Sequence, residues 1–419
     1  MSKSQVLLIY LLISLLLLSV ALFRQTFFHQ SSWGPFAFVS CVVAAFLIVA
    51  YVVSQWTRRR FRWIVLGWLL AEGVVWLTVY YTCREQIYHP FTYALAGKLY
   101  RGGGSGVMHN NAIQADPNLA VYDKGLIYRL KSGVGQFSNL EFSTTYRVNS
   151  MGLRDDERSL QHPEVILLGD SYTMGWGVEQ EQTFAQQLEQ RIKVPVLNAG
   201  ISSFGTAREL MLLRRLNRRD CKAVYLQYCE NDLGENRQYV TNDSLFYTQQ
   251  QYENTVRANT INRWFFPFKL SFIVVQGALR RALAARAQAS ESGQTAVQAA
   301  TTPVVTSATG AEIDQRSVHT QHFVDILSKI QQVFDGPIVV FELSPHGYFS
   351  DLTQQLPTQV AARALQNVRF IRTDTLLRAD HYLMLDAHLN PSGHAIVADL
   401  LAKDYERLRE VNTMASIKR

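Results

Sequence analysis

The sequence predicts an α/β domain on a parallel sheet with helices on both faces, preceded by three transmembrane helices. Two observations carry the domain: apolar strand-like runs alternate with amphipathic helix-like runs, and each apolar run ends in a polar cluster. A third carries the anchor: Val6–Phe23, Phe36–Val53 and Trp63–Tyr81 are mostly apolar and long enough to cross a bilayer core.

Taken in order, the first span follows Lys3, as a signal peptide's apolar region would. Its apolar run is long for that role, no small-x-small cleavage site follows, and two more spans come after it, so a retained helix is expected. The loop Gln55–Arg62 carries Arg58, Arg59, Arg60 and Arg62, whereas Arg24–Gly34 carries one arginine. The positive-inside rule then puts that loop and the N-terminus in the cytoplasm. Everything after about Cys83 is expected outside a multi-pass cytoplasmic (inner) membrane protein, in the periplasm where the cell has two membranes. Trp33, Trp56, Trp63, Tyr80 and Tyr81 fall near span ends, as interfacial aromatics do. Glu72 lies in the middle of the third span, where a carboxylate either serves a function or is protonated and packs against span 1 or 2. No catalytic role is placed on it.

The 419 residues suffice for more than one domain, and a hydrophobic fraction of 48% is ordinary. Of the formal net charge of +7, residues 1–82 hold +5, leaving +2 for the rest. The basic balance therefore comes from the anchor and does not argue for nucleic-acid binding. Cys221 and Cys229 flank a predicted strand, roughly 26 Å apart at about 3.3 Å per residue, too far for a disulfide. Four cysteines imply no disulfide framework.

Residues 1–83 thus form the anchor, and 84–144 a juxtamembrane linker with a small β-rich lead-in. The lead-in comprises Leu119–Tyr122, Leu126–Leu130 and Ser143–Val148, and the glycine-rich Arg101–Gly106 reads as a hinge. Residues 145–411 form the main domain. Its strands are Glu164–Gly169, Val194–Leu197, Ala223–Tyr228, Pro337–Leu343 and Val368–Arg372. Its helices are Thr183–Ile192, Thr206–Asn217, Val318–Phe334 and Ser392–Arg407. An insertion at about 235–320 interrupts the alternation. Within it Trp264–Ala284 reads as an interfacial or a packed helix covering the site, and 285–310, rich in Ala, Ser, Thr and Gln, as a disordered loop.

Val165-Ile166-Leu167-Leu168-Gly169-Asp170-Ser171 runs from a buried strand into a tight turn. Ser171 stands where open α/β sheets place ligand sites, although Asp and Ser are also ordinary helix caps. A serine attacks an ester only with a base, an orienting group and donors for the oxyanion. Asp386-Ala387-His388 offers base and orienter on one loop, or else caps the helix at Ser392. Gly200 and Asn231 follow other strands at the same sheet edge, and with the Ser171 amide they offer three oxyanion donors.

These blocks resemble the SGNH (GDSL-type) hydrolase superfamily over roughly residues 145–405. The matching segments are Gly169-Asp170-Ser171-Tyr172, Asn198-Ala199-Gly200, Glu230-Asn231-Asp232 and Asp386–His394, with Val148–Arg154 similar to the stretch before the serine block. The resemblance implies a three-layer αβα fold with Ser171 as nucleophile, Gly200 and Asn231 as oxyanion donors, His388 as base and Asp386 as its orienter. Two positions depart: Cys229 stands where the third block has glycine, and Asp-x-His replaces Asp-x-x-His, which makes Asp380 a fallback. His394 is assigned to packing at the helix start.

The expected activity is a membrane-anchored serine esterase on O-acyl, chiefly O-acetyl, esters of a cell-envelope glycan, with no cofactor or metal. O-acyl transfer to a polysaccharide and (lyso)phospholipid hydrolysis are the enzymatic alternatives. A glycan-binding membrane assembly protein is the non-enzymatic one. Expected partners are the envelope ester itself, glycan or lipid, and membrane proteins of a glycan pathway.

Overall fold

The computed structural model describes residues 2–23, 28, 33–85, 87–101, 111–229, 232–299, 309–345, 356–358, 360–361, 363 and 365–417. The chain divides into two compact units, Met1–Asp116 with Asn139–Glu141 and Glu253–Thr306, and Pro117–Ser138 with Phe142–Tyr252 and Ser307–Arg419. The centre of the 235–320 insertion therefore belongs with the N-terminal helices, a division that periodicity alone does not draw.

In the first unit, α1 (Lys3–Phe23), α2 (Gly34–Thr57) and α3 (Phe61–Arg84) are long and apolar enough to cross a membrane, with mean hydropathies of 2.6, 2.8 and 1.6. Pro35 starts α2, where its missing N–H costs nothing. Arg58, left-handed at φ 53°, ends α2, and extended Arg60 starts α3, so the arginine cluster is a tight helical hairpin turn. After α4 (Pro90–Arg101) the unit is completed by α10 (Gln249–Arg263), from Glu253 on, and by α11 (Lys269–Ala299). Pro267 and a left-handed Phe268 (φ 66°) separate these two. Phe268 and Phe272 join Phe38, Val42, Ala45 and Phe46 in one core.

Of the loop expected at 285–310, residues 285–299 are described, and they are helical. Helix continues to Ala299 and another begins at Thr309, because alanine and glutamine, poor at building a core, are good helix formers. Residues 300–308, and the hinge glycines 102–106, lie outside the described residues.

The second unit opens with two antiparallel hairpins, β1 (Ala120–Asp123) with β2 (Ile127–Leu130), and β3 (Gly133–Ser138) with β4 (Ser143–Val148). Short α5 (Glu157–Gln161) leads to the main sheet. Its strands are β5 (Val165–Gly169), β6 (Val196–Gly200), β7 (Ala223–Tyr228), β8 (Ile338–Glu342) and β9 (Val368–Ile371). They are all parallel, in the order β6-β5-β7-β8-β9. The fold is α/β, as the alternation predicts. Helices α7 (Phe184–Ile192) and α13 (Pro391–Ile417) pair with each other, as do α8 (Thr206–Leu213), α9 (Leu233–Asn242) and α12 (Thr309–Val333). On the α7–α13 side, alternate strand residues Val165, Leu167, Ala223, Tyr225, Val339 and Phe341 meet Phe184, Leu188, Val397 and Leu401. Every residue of β5 to β8 is buried, which explains their largely apolar character, with Asn198, Gln227 and Glu342 as the polar exceptions. The strand order reverses beside β5, and open α/β sheets bind ligands at such a switch point, beyond the carboxyl ends of the strands.

Candidate active site

Gly169 ends β5 because nothing larger fits: a Cβ there would lie 2.1 Å from Thr173 Oγ1 and 2.5 Å from Gln227 Oε1. The chain turns, and Asp170 Oδ1 accepts the Tyr172 amide at 2.9 Å, capping α6 (Ser171–Met174). The capping reading is thus correct for Asp170 and compatible with chemistry at Ser171. With the cap supplied by its neighbour, the Ser171 hydroxyl faces His388, Oγ to Nε2 at 2.7 Å. The Ser171 amide, at the first helical position, has no partner among the described residues.

His388 is held by its backbone and by both ring edges. Its carbonyl accepts from Leu383 N at 2.9 Å, and a bridge joins Tyr382 to Leu389. Its Nδ1 meets Asp386 Oδ1 in a short hydrogen bond. A carboxylate only accepts, so Nδ1 carries the proton and Nε2 offers its lone pair to the Ser171 hydroxyl. Trp176 Nε1 donates to Asp386 Oδ2 at 2.9 Å and its ring stacks on the imidazole, centroids 5.2 Å apart. Tyr172 Oη donates to Ala387 O at 2.9 Å. The structure therefore brings Ser171, His388 and Asp386 together, despite the shortened Asp-x-His spacing.

The competing readings fall away. The cap of α13 is Asn390, whose Oδ1 accepts from Ser392 N (3.0 Å) and Gly393 N (3.1 Å), not His388 or Asp386. Asp380 is exposed and pairs with Arg378. His394 is buried, accepts the Phe184 amide on Nδ1 at 3.2 Å and stacks on that ring; burial lowers its pKa to about 3.

Gly200 is the last residue of β6, and its amide donates to Asn198 Oδ1 at 3.1 Å. A Cβ there would lie 2.4 Å from Met174 N, so the glycine is required by the close approach of α6 to the strand. The expectation for Asn231 falls outside the described residues, as does Glu230. Cys229, in the third block, is buried in the sheet core beside Tyr172. Beyond β6, Ser203 holds a left-handed φ of 60°, uncommon for a side chain with a Cβ. Its carbonyl accepts from Arg208, which pairs with Glu235 in a largely buried ion pair at 2.5 Å.

Three supporting residues escaped the sequence reading. Trp176 is one. Arg154 is fully buried and donates to the carbonyls of Gly175 (2.5 Å), Met174 (3.3 Å), Thr145 (3.0 Å) and Val178 (2.8 Å). It satisfies carbonyls that α6 leaves without partners. Asp155 accepts the Asn198 amide at 2.7 Å and so ties this segment to β6; burial pushes its carboxyl up to about 7 against the pull of that bond. The sequence signal was the adjacent charge pair Arg154-Asp155 just ahead of the serine strand. Deeper, Glu209 and Asp232 are buried carboxyls whose pKa values are raised, foremost by loss of hydration.

Residues 167–396 match the GDSL-like lipase/acylhydrolase family. Solved structures similar to this chain include a putative lipolytic protein of the G-D-S-L family from Desulfitobacterium hafniense. It is 12% identical with a TM-score of 0.32, over 57% of this chain and 97% of that one. A carbohydrate esterase family 2 enzyme with a carbohydrate-binding domain, from Corynascus thermopiles (Myceliophthora fergusii), is 12% identical with a TM-score of 0.33. That match covers 59% of this chain and 68% of the other. A carbohydrate esterase with divergent catalytic and non-catalytic binding functions is 11% identical, with a TM-score of 0.31, over 58% and 67%. Among curated proteins none matches the chain.

Proposed function

The chain belongs to the GDSL-like lipase/acylhydrolase family, and we propose that it is a membrane-anchored serine esterase for O-acyl esters of a cell-envelope glycan. The observation that carries the proposal is the unbroken relay from Ser171 Oγ through His388 to Asp386. In the proposed reaction Oγ attacks the ester carbonyl while its proton passes to His388 Nε2. The tetrahedral intermediate collapses, His388 returns that proton to the departing alkoxide, and the acyl group remains on Ser171. Water, deprotonated by His388, then releases the acid.

The developing oxyanion needs preorganised donors, each contributing about 3 kcal/mol in comparable sites. The Ser171 amide is one and Asn231 remains the second. In place of Gly200 we assign the third to the amide of Ser203, in the strained loop that Arg208 clamps.

The envelope substrate rests on location. Three apolar helices support a membrane anchor, and the arginine-rich turn supports a site on the outer face of the cytoplasmic membrane. Detergent-solubilised protein is expected to release p-nitrophenol from p-nitrophenyl acetate, and acetate from O-acetylated envelope polysaccharide. Turnover of the small ester without polysaccharide deacetylation would keep the esterase and discard the glycan.

A further inference from the structure

The insertion re-enters the first unit by a path that its polar groups explain. Helix α10 ends at Arg263, which pairs with Asp116 at 3.0 Å. Trp264 then packs on Phe36 in the first turn of α2, centroids 5.0 Å apart. Only four residues later, Phe268 stacks on Phe46 (5.6 Å) and meets Trp68 (5.2 Å). Phe36 and Phe46 are ten residues apart on α2, about 15 Å at 1.5 Å per residue. The loop thus descends about half the hydrocarbon thickness of a bilayer. There Ser271 donates to Glu72, at the midpoint of α3, through its amide (2.9 Å) and its hydroxyl, and Trp68 Nε1 donates to the Ser271 hydroxyl at 2.8 Å.

A helix break at membrane depth is tolerated only where protein satisfies the freed backbone groups. Here Glu72 takes the Ser271 amide and Lys269 Nζ donates to the Trp264 carbonyl at 2.9 Å. The Lys269 ammonium also sits over the rings of Phe265 and Phe266. The exposed residues of this element are apolar, Phe265 being 58% and Val274 55% exposed, and Phe265 also meets Trp76 of α3 edge-on at 4.6 Å. The first arginines of α11, Arg280 and Arg281, come nine and ten residues after Ser271. That interval is about 15 Å along a helix, enough to return them to the interface.

We propose that Trp264–Val275 is a re-entrant membrane element, seated among the three spans and latched at their mid-depth by the Glu72 carboxylate. It embeds the chain in lipid a second time, between two stretches of the hydrolase domain, and gives Glu72 a positioning rather than a catalytic role. The proposal rests on the reading of α1, α2 and α3 as membrane spans.

Single nitroxide labels test both, placed in a background with the four cysteines replaced and the full chain in phosphatidylcholine liposomes. Labels at Val274 and Phe265 are compared with Leu70, on the outward face of α3, and with Val134, exposed on β3. Val274 and Phe265 are expected to match Leu70, with frequent collisions with oxygen and few with nickel-EDDA. Leu70 lipid-like with Val274 water-like overturns the re-entrant element alone, whereas a water-like Leu70 overturns the anchor and the proposal with it. Glu72→Ala is expected to raise the nickel collisions of the Val274 label severalfold, while Glu72→Gln, which can still accept from Ser271, leaves them low. No change in Glu72→Ala overturns the latch.

Discussion

The ends of β5 and β6 lie side by side in the same parallel sheet, Gly169 in register with Gly200, yet they do different work. After β5, Asp170 supplies the helix cap, and the next residue projects a hydroxyl onto His388. At the end of β6, the amide expected to face the site is committed to Asn198 Oδ1. Both glycines are required by crowding, one by Thr173 and Gln227 and the other by Met174. The comparison teaches that a strand end contributes to a site through the groups its neighbours leave uncommitted, and residue type alone does not say which those are.

The largest effect expected on the β5 side comes from the relay. His388→Ala is expected to lower kcat for p-nitrophenyl acetate by about 10⁴ to 10⁶, and Asp386→Asn by about 10⁴ through the wrong imidazole tautomer. An Asp386→Asn enzyme within tenfold of wild type would detach that carboxylate from the mechanism. On the β6 side, Gly200→Ala is expected to cost about 3 kcal/mol of stability, because the added methyl meets backbone that cannot move freely. Chemical denaturation reads this directly. If instead Gly200→Ala folds normally and loses activity, the amide belongs to the site after all.

His394 separates packing from catalysis. An unfolded imidazole takes up a proton below about pH 6.5, whereas the buried one stays neutral down to about 3. Between those values the unfolded state binds more protons. The stability His394 contributes is therefore whole above pH 6.5 and falls as pH drops, by about 2 kcal/mol at pH 5. His394→Asn, with an oxygen available for the Phe184 amide, is expected to flatten that part of the stability–pH curve while leaving the pH profile of kcat in place. The smallest effect is at Trp176. Trp176→Phe keeps an aromatic ring against His388 but removes the N–H to Asp386, for an expected loss in kcat of about tenfold with KM unchanged. A change confined to KM would make Trp176 a substrate contact.

The sequence revealed most where function is local. Alternating runs predicted the parallel sheet, and Ser171, Asp386 and His388 stand out in the sequence because each lies next to a clear element, Ser171 opening α6 just after β5 and the other two just ahead of α13. The loop from Asp386 to His388 needed only two residues to bring acid and base together. The hydrogen bond of the Gly200 amide was not legible, because a side chain two residues away competes for that amide. Arg154 and Trp176 were missed because their partners are backbone carbonyls and a distant carboxylate, which leave no spacing in the chain. The boundary of the units was hidden for a similar reason. Trp264–Phe272 has an apolar, aromatic composition that suits either a lid or a membrane element, and only the pairing of Ser271 with Glu72, 199 positions apart, distinguishes them.

The central claim is that Ser171 is a nucleophile activated by His388. Detergent-solubilised wild-type protein treated with a fluorophosphonate is expected to gain one covalent adduct, located on Ser171 by peptide mass mapping and lost in Ser171→Ala and in His388→Ala. Folded wild-type protein that stays unlabelled, or an adduct that persists in Ser171→Ala, would contradict the account.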